Sequence, residues 1–259
     1  QSYAQIGHGA ISTTAVRDRR GDISLTGFDD LLVRSGAGSQ SFAMIGHGGA
    51  EATSGALSGD IDVHGLSGSV TLDTSVSSGT SAYAQIGHGG FLTSASSGVI
   101  DGNICVVAGT TLSLGASGGA GSYSQIGHGG VNRQGNFSGD VVVTTGIAGA
   151  GAVSLAGGTA SKAYAQIGHG GINANGLLSG DIYVVADRTG MSGGDISITG
   201  GSLTSTYGMI GHGDSEGVTS RGRREGGIHL FAAGDFTVTN GSGGPNTHYY
   251  HQTGNTGGL

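Results

Sequence analysis

The tetrapeptide Ile-Gly-His-Gly occurs six times along the 259 residues of this chain. Its histidines are separated by 39, 41, 40, 41 and 43 residues, and the residues before each copy also recur, as in SYAQIGHG and AYAQIGHG. A period of this length predicts an array of similar units that stack and bury one continuous core. The six histidines are His8, His47, His88, His128, His169 and His212.

Three short segments of alternating apolar and polar residues recur in each unit. One follows a Gly-Asp pair, as in GDIDV at 59–63, a second follows soon after, as in SVTL at 69–72, and the third is the histidine motif itself. Period-two alternation bounded by Gly, Ser or Asn is typical of β-strands. Three strands per unit, joined by glycine-rich corners, predict an all-β, right-handed parallel β-helix (a β-solenoid) of about six to seven coils of ~40 residues each.

A repeat of about forty residues can form one coil, or two coils of half that length. One coil is favoured because the histidine motif has no echo at half the period. We expect a single repeat domain over residues 1–244 and an atypical C-terminal cap or junction over 245–259, where the only proline lies.

Composition excludes several other classes of protein. The chain has 58 glycines but only one proline, and the glycines show no three-residue period, which excludes collagen. With 10% charged residues and a net charge of −7, it has no basic footprint for nucleic acid. No apolar run is long enough to span a membrane. Cys105 is the only cysteine, so no disulfide forms within the chain, and its ICVV context predicts a small core residue.

The pattern GDIxVxxxxGxVxL followed by YAQIGHGG resembles the repeats of filamentous-haemagglutinin-like and autotransporter-type bacterial surface proteins. The resemblance extends from Gln1 to about Gly244. The Gly-Asp-Ile and Val-x-Leu elements are generic to that group, and IGHGG is more specific to a subset of large repetitive surface proteins. The resemblance implies a parallel β-helix on the cell surface or in an extracellular fibre, with an adhesive or structural use, and for the IGHGG subset it suggests no activity.

Alternation within the motif strand predicts two ladders. Isoleucines lie on one face and aromatic residues on the other, so stacked units form columns of like side chains. A structural role for these columns is favoured; the alternative is an aromatic platform that binds glycans or another filament. The ladder residues are Ile6, Ile45, Ile86, Ile126, Ile167 and Ile210, with Tyr3, Phe42, Tyr83, Tyr123, Tyr164 and Tyr207 opposite.

The histidines lie between glycines and are expected at a corner of the chain, where a ring nitrogen bonds neighbouring backbone or the next imidazole. The same column offers metal ligands or a pH sensor, but one row of rings at about 4.8 Å does not converge on a point as a closed tetrahedral site requires. We therefore expect no metal and no cofactor. A second column has Asp22, Asp60, Asn103, Asp140, Asp181 and Gly227 in equivalent positions, for which a turn residue bonding its own backbone is favoured over a calcium ligand.

No set of residues matches a catalytic constellation, so an enzyme is not expected. Charges instead cluster in the units at the two ends: Arg17, Arg19 and Arg20 in the first and Arg221, Arg223 and Arg224 in the last. Local pairing with nearby acidic residues is the simpler reading. A head-to-tail contact, with Asp29 and Asp30 as partners, is the more specific one, because end contacts that do not close produce filaments.

The sequence thus predicts an extracellular or cell-surface structural protein, a β-solenoid subunit of a bacterial fibre that assembles end to end with copies of itself. The alternative is an adhesin module that binds glycans or another cell surface. A less favoured ice-binding use would need a regular threonine face, which no single position maintains in every unit.

Overall fold

The computed structural model describes residues 2–9, 11, 17–51, 55–92, 96–190, 193–203, 205–213 and 222–242. Over these residues all regular structure is β, with no helix, and the strands form four six-stranded sheets and one two-stranded pair. All pairings are parallel, and in each six-stranded sheet a strand pairs with the equivalent strand of the neighbouring repeat. The prediction of an all-β fold built from stacked parallel strands is confirmed. The expected terminal segment, 245–259, lies outside the described residues.

Two of the four sheets derive from the histidine motif and from the segment after Gly-Asp. The motif sheet contains Tyr3–Ile6, Phe42–Ile45, Tyr83–Ile86, Tyr123–Ile126, Tyr164–Ile167 and Tyr207–Ile210. The Gly-Asp sheet contains Ile23–Phe28, Ile61–Gly65, Ile104–Val107, Val141–Thr144, Ile182–Ala186 and Ile228–Ala232.

The other two sheets are the predicted Val-x-Leu strands and a set of two-residue strands that the sequence analysis missed. The Val-x-Leu sheet contains Leu31–Arg34, Val70–Asp73, Leu112–Gly115, Val153–Ala156, Ile196–Thr199 and Phe236–Thr239. The corner sheet contains Arg19–Arg20, Leu57–Ser58, Ile100–Asp101, Phe137–Ser138, Leu178–Ser179 and Arg224–Glu225. The separate pair joins Ser96–Ser97 to Arg133–Gln134.

We number the repeats as units 1 to 6, each beginning at the aromatic residue of its motif strand. The pairing register aligns like residues, as where Tyr83 faces Tyr123 and Ile86 faces Ile126. Because this register repeats from unit to unit, each sequence position becomes a column of side chains along the stack. One irregularity, between Thr26 and Phe28, occurs in unit 1.

The main core fills the space enclosed by the motif, Gly-Asp and Val-x-Leu sheets. Val63, Leu72 and Ile86 are fully buried there, together with their equivalents in the neighbouring units. Burial of each such side chain stabilises the fold by about 1.5–3 kcal/mol. The alternate residues of the Gly-Asp and Val-x-Leu strands point outward, as their alternating burial shows.

A second core covers the other face of the motif sheet. Tyr83, Tyr123 and Tyr164 pack there against apolar side chains from the segments that follow the histidines, among them Phe91 and Ile172. All four residues of each motif strand in units 2 to 5 are therefore buried. The face of YAQI that carries tyrosine and glutamine is therefore covered and not exposed, which gives the long segment after each histidine a structural purpose.

Glycine is required where the motif strand ends, because neighbouring units approach there through their backbones. Gly87 has a φ of +147°, and a Cβ at this position would lie 2.0 Å from the carbonyl oxygen of Gly127. No other residue fits that contact without moving a unit. The close stacking of the units therefore requires the glycine that follows isoleucine in the Ile-Gly-His-Gly motif.

Candidate functional site

The aromatic column lies inside the protein. Successive rings from Tyr3 through Phe42 to Tyr207 stack with centroids 4.7–5.1 Å apart. Tyr83, Tyr123 and Tyr164 are fully buried, whereas Tyr3 at the end of the stack is 54% exposed. A glycan-binding platform on this column, the alternative raised by the sequence, is wrong for the inner units, because the segments after the histidines cover these rings.

The histidines form a second stacked column, whose ring centroids are 4.7–5.0 Å apart. In units 2 to 6, Nδ1 accepts the backbone N–H of the histidine one unit earlier at 2.9–3.1 Å. Nε2 lies 2.7–2.9 Å from a glycine carbonyl oxygen of that same earlier unit. Since a carbonyl only accepts, Nε2 carries the proton, and each of these rings is a neutral imidazole with both nitrogens engaged.

This arrangement makes protonation of the column costly. Burial, partly offset by the hydrogen bond to the Gly59 carbonyl, lowers the pKa of His88 to about 4. Burial and the neighbouring His212 lower the pKa of His169 to about 3, and burial together with the rings on either side holds the pKa of His128 well below its usual value. With both ring nitrogens in use, these histidines have no lone pair free for a metal.

Glutamine and aspartate side chains also bond from one unit to the next. The side-chain amide of Gln125 donates to the carbonyl of Gly168 at 3.0 Å, and Gln85 and Gln166 make the equivalent contacts. In the acidic column, Asp60 Oδ1 accepts the backbone N–H of Asn103 at 2.8 Å, a contact repeated along the stack. The expectation that these acidic residues bond their own backbone was wrong: they bond the next unit.

The two ends of the stack are unlike and mutually complementary. His8 is exposed, and among the described residues no N–H reaches its Nδ1 and no carbonyl accepts from its Nε2. By the pattern of the other units, those partners would be a histidine N–H and a glycine carbonyl of a preceding unit. The groups equivalent to them at the other end are the N–H of His212 and the carbonyl of Gly226, for which the described part of the chain shows no partner.

Unit 6 leaves apolar side chains uncovered. Phe236 and Val238 pair with Ile196 and Ile198, which point into the main core, yet they are 50% and 67% exposed. Ile228 and Leu230 in the Gly-Asp sheet are exposed in the same way. The described residues of unit 6 therefore present an open cross-section of the core at this end.

Several of the end arginines bond groups within the chain, as the simpler reading of the sequence expects. Arg20 pairs with Asp18 at 2.7 Å, and Arg223 pairs with Glu225, both on the surface. Arg224 donates back to the carbonyls of Gly176 and Ala174. Asp29 and Asp30 accept hydrogen bonds from Ser67 and Ser69 of unit 2. Arg17 is exposed, Arg19 lies in the corner sheet, and Arg221 lies outside the described residues.

One cluster of metal-binding side chain types was missed by sequence reasoning. Asp62 and His64 lie two apart on one outward face of a Gly-Asp strand, and Cys105 pairs with Asp62 from the next strand. Their ligand atoms all lie within 4.8 Å of one another. The expectation that Cys105 is a core residue was wrong: it is half-buried on the outer face, between the inward-facing Ile104 and Val106. Asp-x-His followed by Cys one repeat later is the sequence signal for the cluster.

Comparison of the chain with models of protein families, with curated proteins and with solved structures found no match. None of the described residues belongs to a helix that could cross a membrane. Functional inference therefore depends on the geometry of the stack, of its ends and of the outward cluster.

Proposed function

We propose that this protein is a structural subunit of an extracellular or cell-surface fibre, assembled by end-to-end stacking of β-solenoids. In this proposal each repeat forms one coil of a right-handed parallel β-helix, the usual hand of parallel crossovers. The resemblance of the repeats to those of filamentous-haemagglutinin-like bacterial proteins motivates the location.

One observation carries the proposal: the two ends of the stack offer the missing halves of one repeated contact. If unit 1 of one copy follows unit 6 of another, Nδ1 of His8 accepts from the His212 N–H and its Nε2–H donates to Gly226. The histidine column then continues through the junction with the geometry that it has inside the chain. Such a contact is heterologous and does not close, so it propagates.

Apolar burial adds to this polar complementarity. Phe236 and Val238 occupy positions that are core positions in the unit before, and a following unit would cover them. Within the part of the chain that the structure describes, the outermost strands also leave backbone groups unpaired, and solenoids cap such edges or pair them with another copy. The last unit has Met209 and Gly227 in place of the bonding glutamine and aspartate, so the junction would rely on the histidine and apolar contacts.

The aromatic column does not favour the adhesin alternative, because the rings that would bind a glycan are buried in the inner units. The proposed junction does not depend on the arginine clusters, since Arg20, Arg223 and Arg224 already have partners within the chain.

Negative-stain microscopy and sedimentation of the purified chain test the proposal. Six stacked strands span only about 30 Å, so longer rods with that repeat along their length are the expected result. His8→Phe preserves ring stacking but removes both nitrogens, and Val238→Lys places a charge in the apolar end; both should shorten the rods. His64→Phe is the matched control. It makes the same histidine-to-phenylalanine change on the outer face of the Gly-Asp sheet, away from the ends, and should leave rod length unchanged. Isolated short particles at all protein concentrations would overturn the proposal.

A further inference from the structure

We propose that Asp62, His64 and Cys105 form a binding site for a single zinc-like divalent cation on the outer face of the Gly-Asp sheet. The site is separate from the stack ends and does not depend on fibre assembly. It unites two neighbouring units, since Asp62 and His64 belong to unit 2 and Cys105 to unit 3.

The separations between the ligand atoms suit a tetrahedral ion. His64 Nε2 lies 3.4 Å from Asp62 Oδ1 and 3.8 Å from Cys105 Sγ. With bonds of about 2.1 Å to nitrogen or oxygen and 2.3 Å to sulfur, tetrahedral geometry requires about 3.4 Å and about 3.6 Å for these two pairs. These two pairs are therefore already close to the separations that an ion would impose, and the third pair, Asp62 and Cys105, lies within 4.8 Å.

The backbone places the three side chains next to one another on one face of the sheet. Side chains two apart on a strand project from the same face, and the parallel register places Cys105 directly beside Asp62. Asp62 and His64 are each about half exposed, at 46% and 49%, so an ion can reach the site from solvent and retain a water as its fourth ligand.

The chemistry of the donors selects the class of metal. A thiolate, an imidazole and a carboxylate form a mixed set that borderline ions such as Zn²⁺ prefer, whereas Ca²⁺ and Mg²⁺ take oxygen ligands. On binding, Sγ forms a bond to the metal and the thiol proton passes to solvent.

A Cys-His-Asp nucleophile is the other use of these residue types, and the geometry does not support it. In such a triad the carboxylate and the thiol contact opposite nitrogens of the imidazole. Here both approach the same atom, Nε2 of His64. Burial and the neighbouring Asp62 also raise the pKa of the Cys105 thiol, which opposes an activated thiolate.

Titration of the full chain with CoCl₂ under anaerobic conditions tests the site. We expect one cobalt per chain, a near-ultraviolet sulfur-to-cobalt charge-transfer band, and loss of that band when ZnCl₂ is added. Cys105→Ser should abolish the band. His64→Gln and Asp62→Asn should each weaken binding by at least about tenfold, since even outer-shell changes have effects of that size. His229→Gln, an exposed histidine on the same sheet, should bind as the unchanged chain does.

Two results would overturn the proposal. Absence of the band in a large excess of cobalt shows that the cluster binds no such ion. Equal cobalt affinity in His64→Gln and in the unchanged chain shows that the ion binds the Cys105 thiol without the help of His64. Because all three side chains project outward, far-ultraviolet circular dichroism should be the same for every variant. If the spectrum of a variant differs, the test uses the unchanged chain instead and measures the rate at which Cys105 is alkylated, which zinc should slow.

Discussion

Acid is expected to destabilise this protein through the histidine column. An unfolded histidine has a pKa of about 6.5, whereas the folded protein lowers the pKa of His88 to about 4 and that of His169 to about 3. Below about pH 6.5 the unfolded chain binds protons that the folded chain does not. The stabilisation from these rings is therefore fully present above about pH 6.5 and is lost as the pH falls toward 4 and 3.

The expected loss is large compared with the stability of a protein domain. One unit of pKa difference corresponds to about 1.4 kcal/mol, so at pH 4 His88 and His169 each remove about 3 kcal/mol from the free energy of unfolding at pH 7. Together they remove about 6 kcal/mol, within the range of about 5–15 kcal/mol that a whole domain has. His47, His128 and His212 have lowered pKa values and act in the same direction.

Denaturant unfolding, followed by far-ultraviolet circular dichroism between pH 7 and pH 4, measures this loss. His88→Asn retains an acceptor near the position of Nδ1 but does not titrate. It should be less stable at pH 7, because the Gly59 carbonyl loses its donor, yet it should lose about 3 kcal/mol less on acidification. His229→Gln removes an exposed histidine and should keep the full loss. A free energy of unfolding that stays constant from pH 7 to pH 4.5, or an unchanged pH dependence in His88→Asn, would show that the histidine column does not cause the acid sensitivity.

Three further changes test the packing. Gly87→Ala should destabilise the protein by more than about 4 kcal/mol, because the added Cβ would meet the Gly127 carbonyl. Gly115→Ala is the control: with nothing within 4 Å of the added atom, it should be neutral or stabilise the protein by about 0.5 kcal/mol. Similar melting temperatures for the two variants would contradict this account. Tyr123→Phe should change the free energy of unfolding by less than about 1 kcal/mol, because none of the described residues bonds the buried hydroxyl. Tyr123→Ala should lower the free energy of unfolding by about 3–5 kcal/mol, as measured by thermal denaturation. Arg133→Met should lower the free energy of unfolding by about 2 kcal/mol and speed limited proteolysis of the segments after the histidines, because the buried guanidinium donates to the carbonyls of Gly49 in unit 2 and Gly89 in unit 3. Unchanged cleavage would show that Arg133 does not hold those segments in place.

Much of the fold follows from local patterns that can be read without a structure. Alternation in GDIDV and SVTL predicts strands whose inward residues, such as Val63 and Leu72, are buried. The repeat period predicts that equivalent strands pair. The two-residue corner strands were missed because segments such as Leu57–Ser58 are too short to show any alternation.

The functional features depend on contacts between units, which alternation does not reveal. The sequence suggests a histidine at a corner, but only the pairing register brings a backbone N–H to Nδ1 and a glycine carbonyl to Nε2. Burial of the aromatic column depends on where the segments after the histidines fold, since Phe91 and Ile172 come to lie over rings of the motif sheet.

The repeat period and the alternating side chains already specify a stack of similar β units, because they leave few other ways to bury apolar surface. What the repeated residues do depends on how the units stack. The register stacks the histidines of the Ile-Gly-His-Gly motifs into one column, with neutral rings in units 2 to 6, and leaves His8 and Gly226 at opposite ends. It also brings Cys105 beside Asp62 and His64, because residues about one period apart in the chain become neighbours across parallel strands.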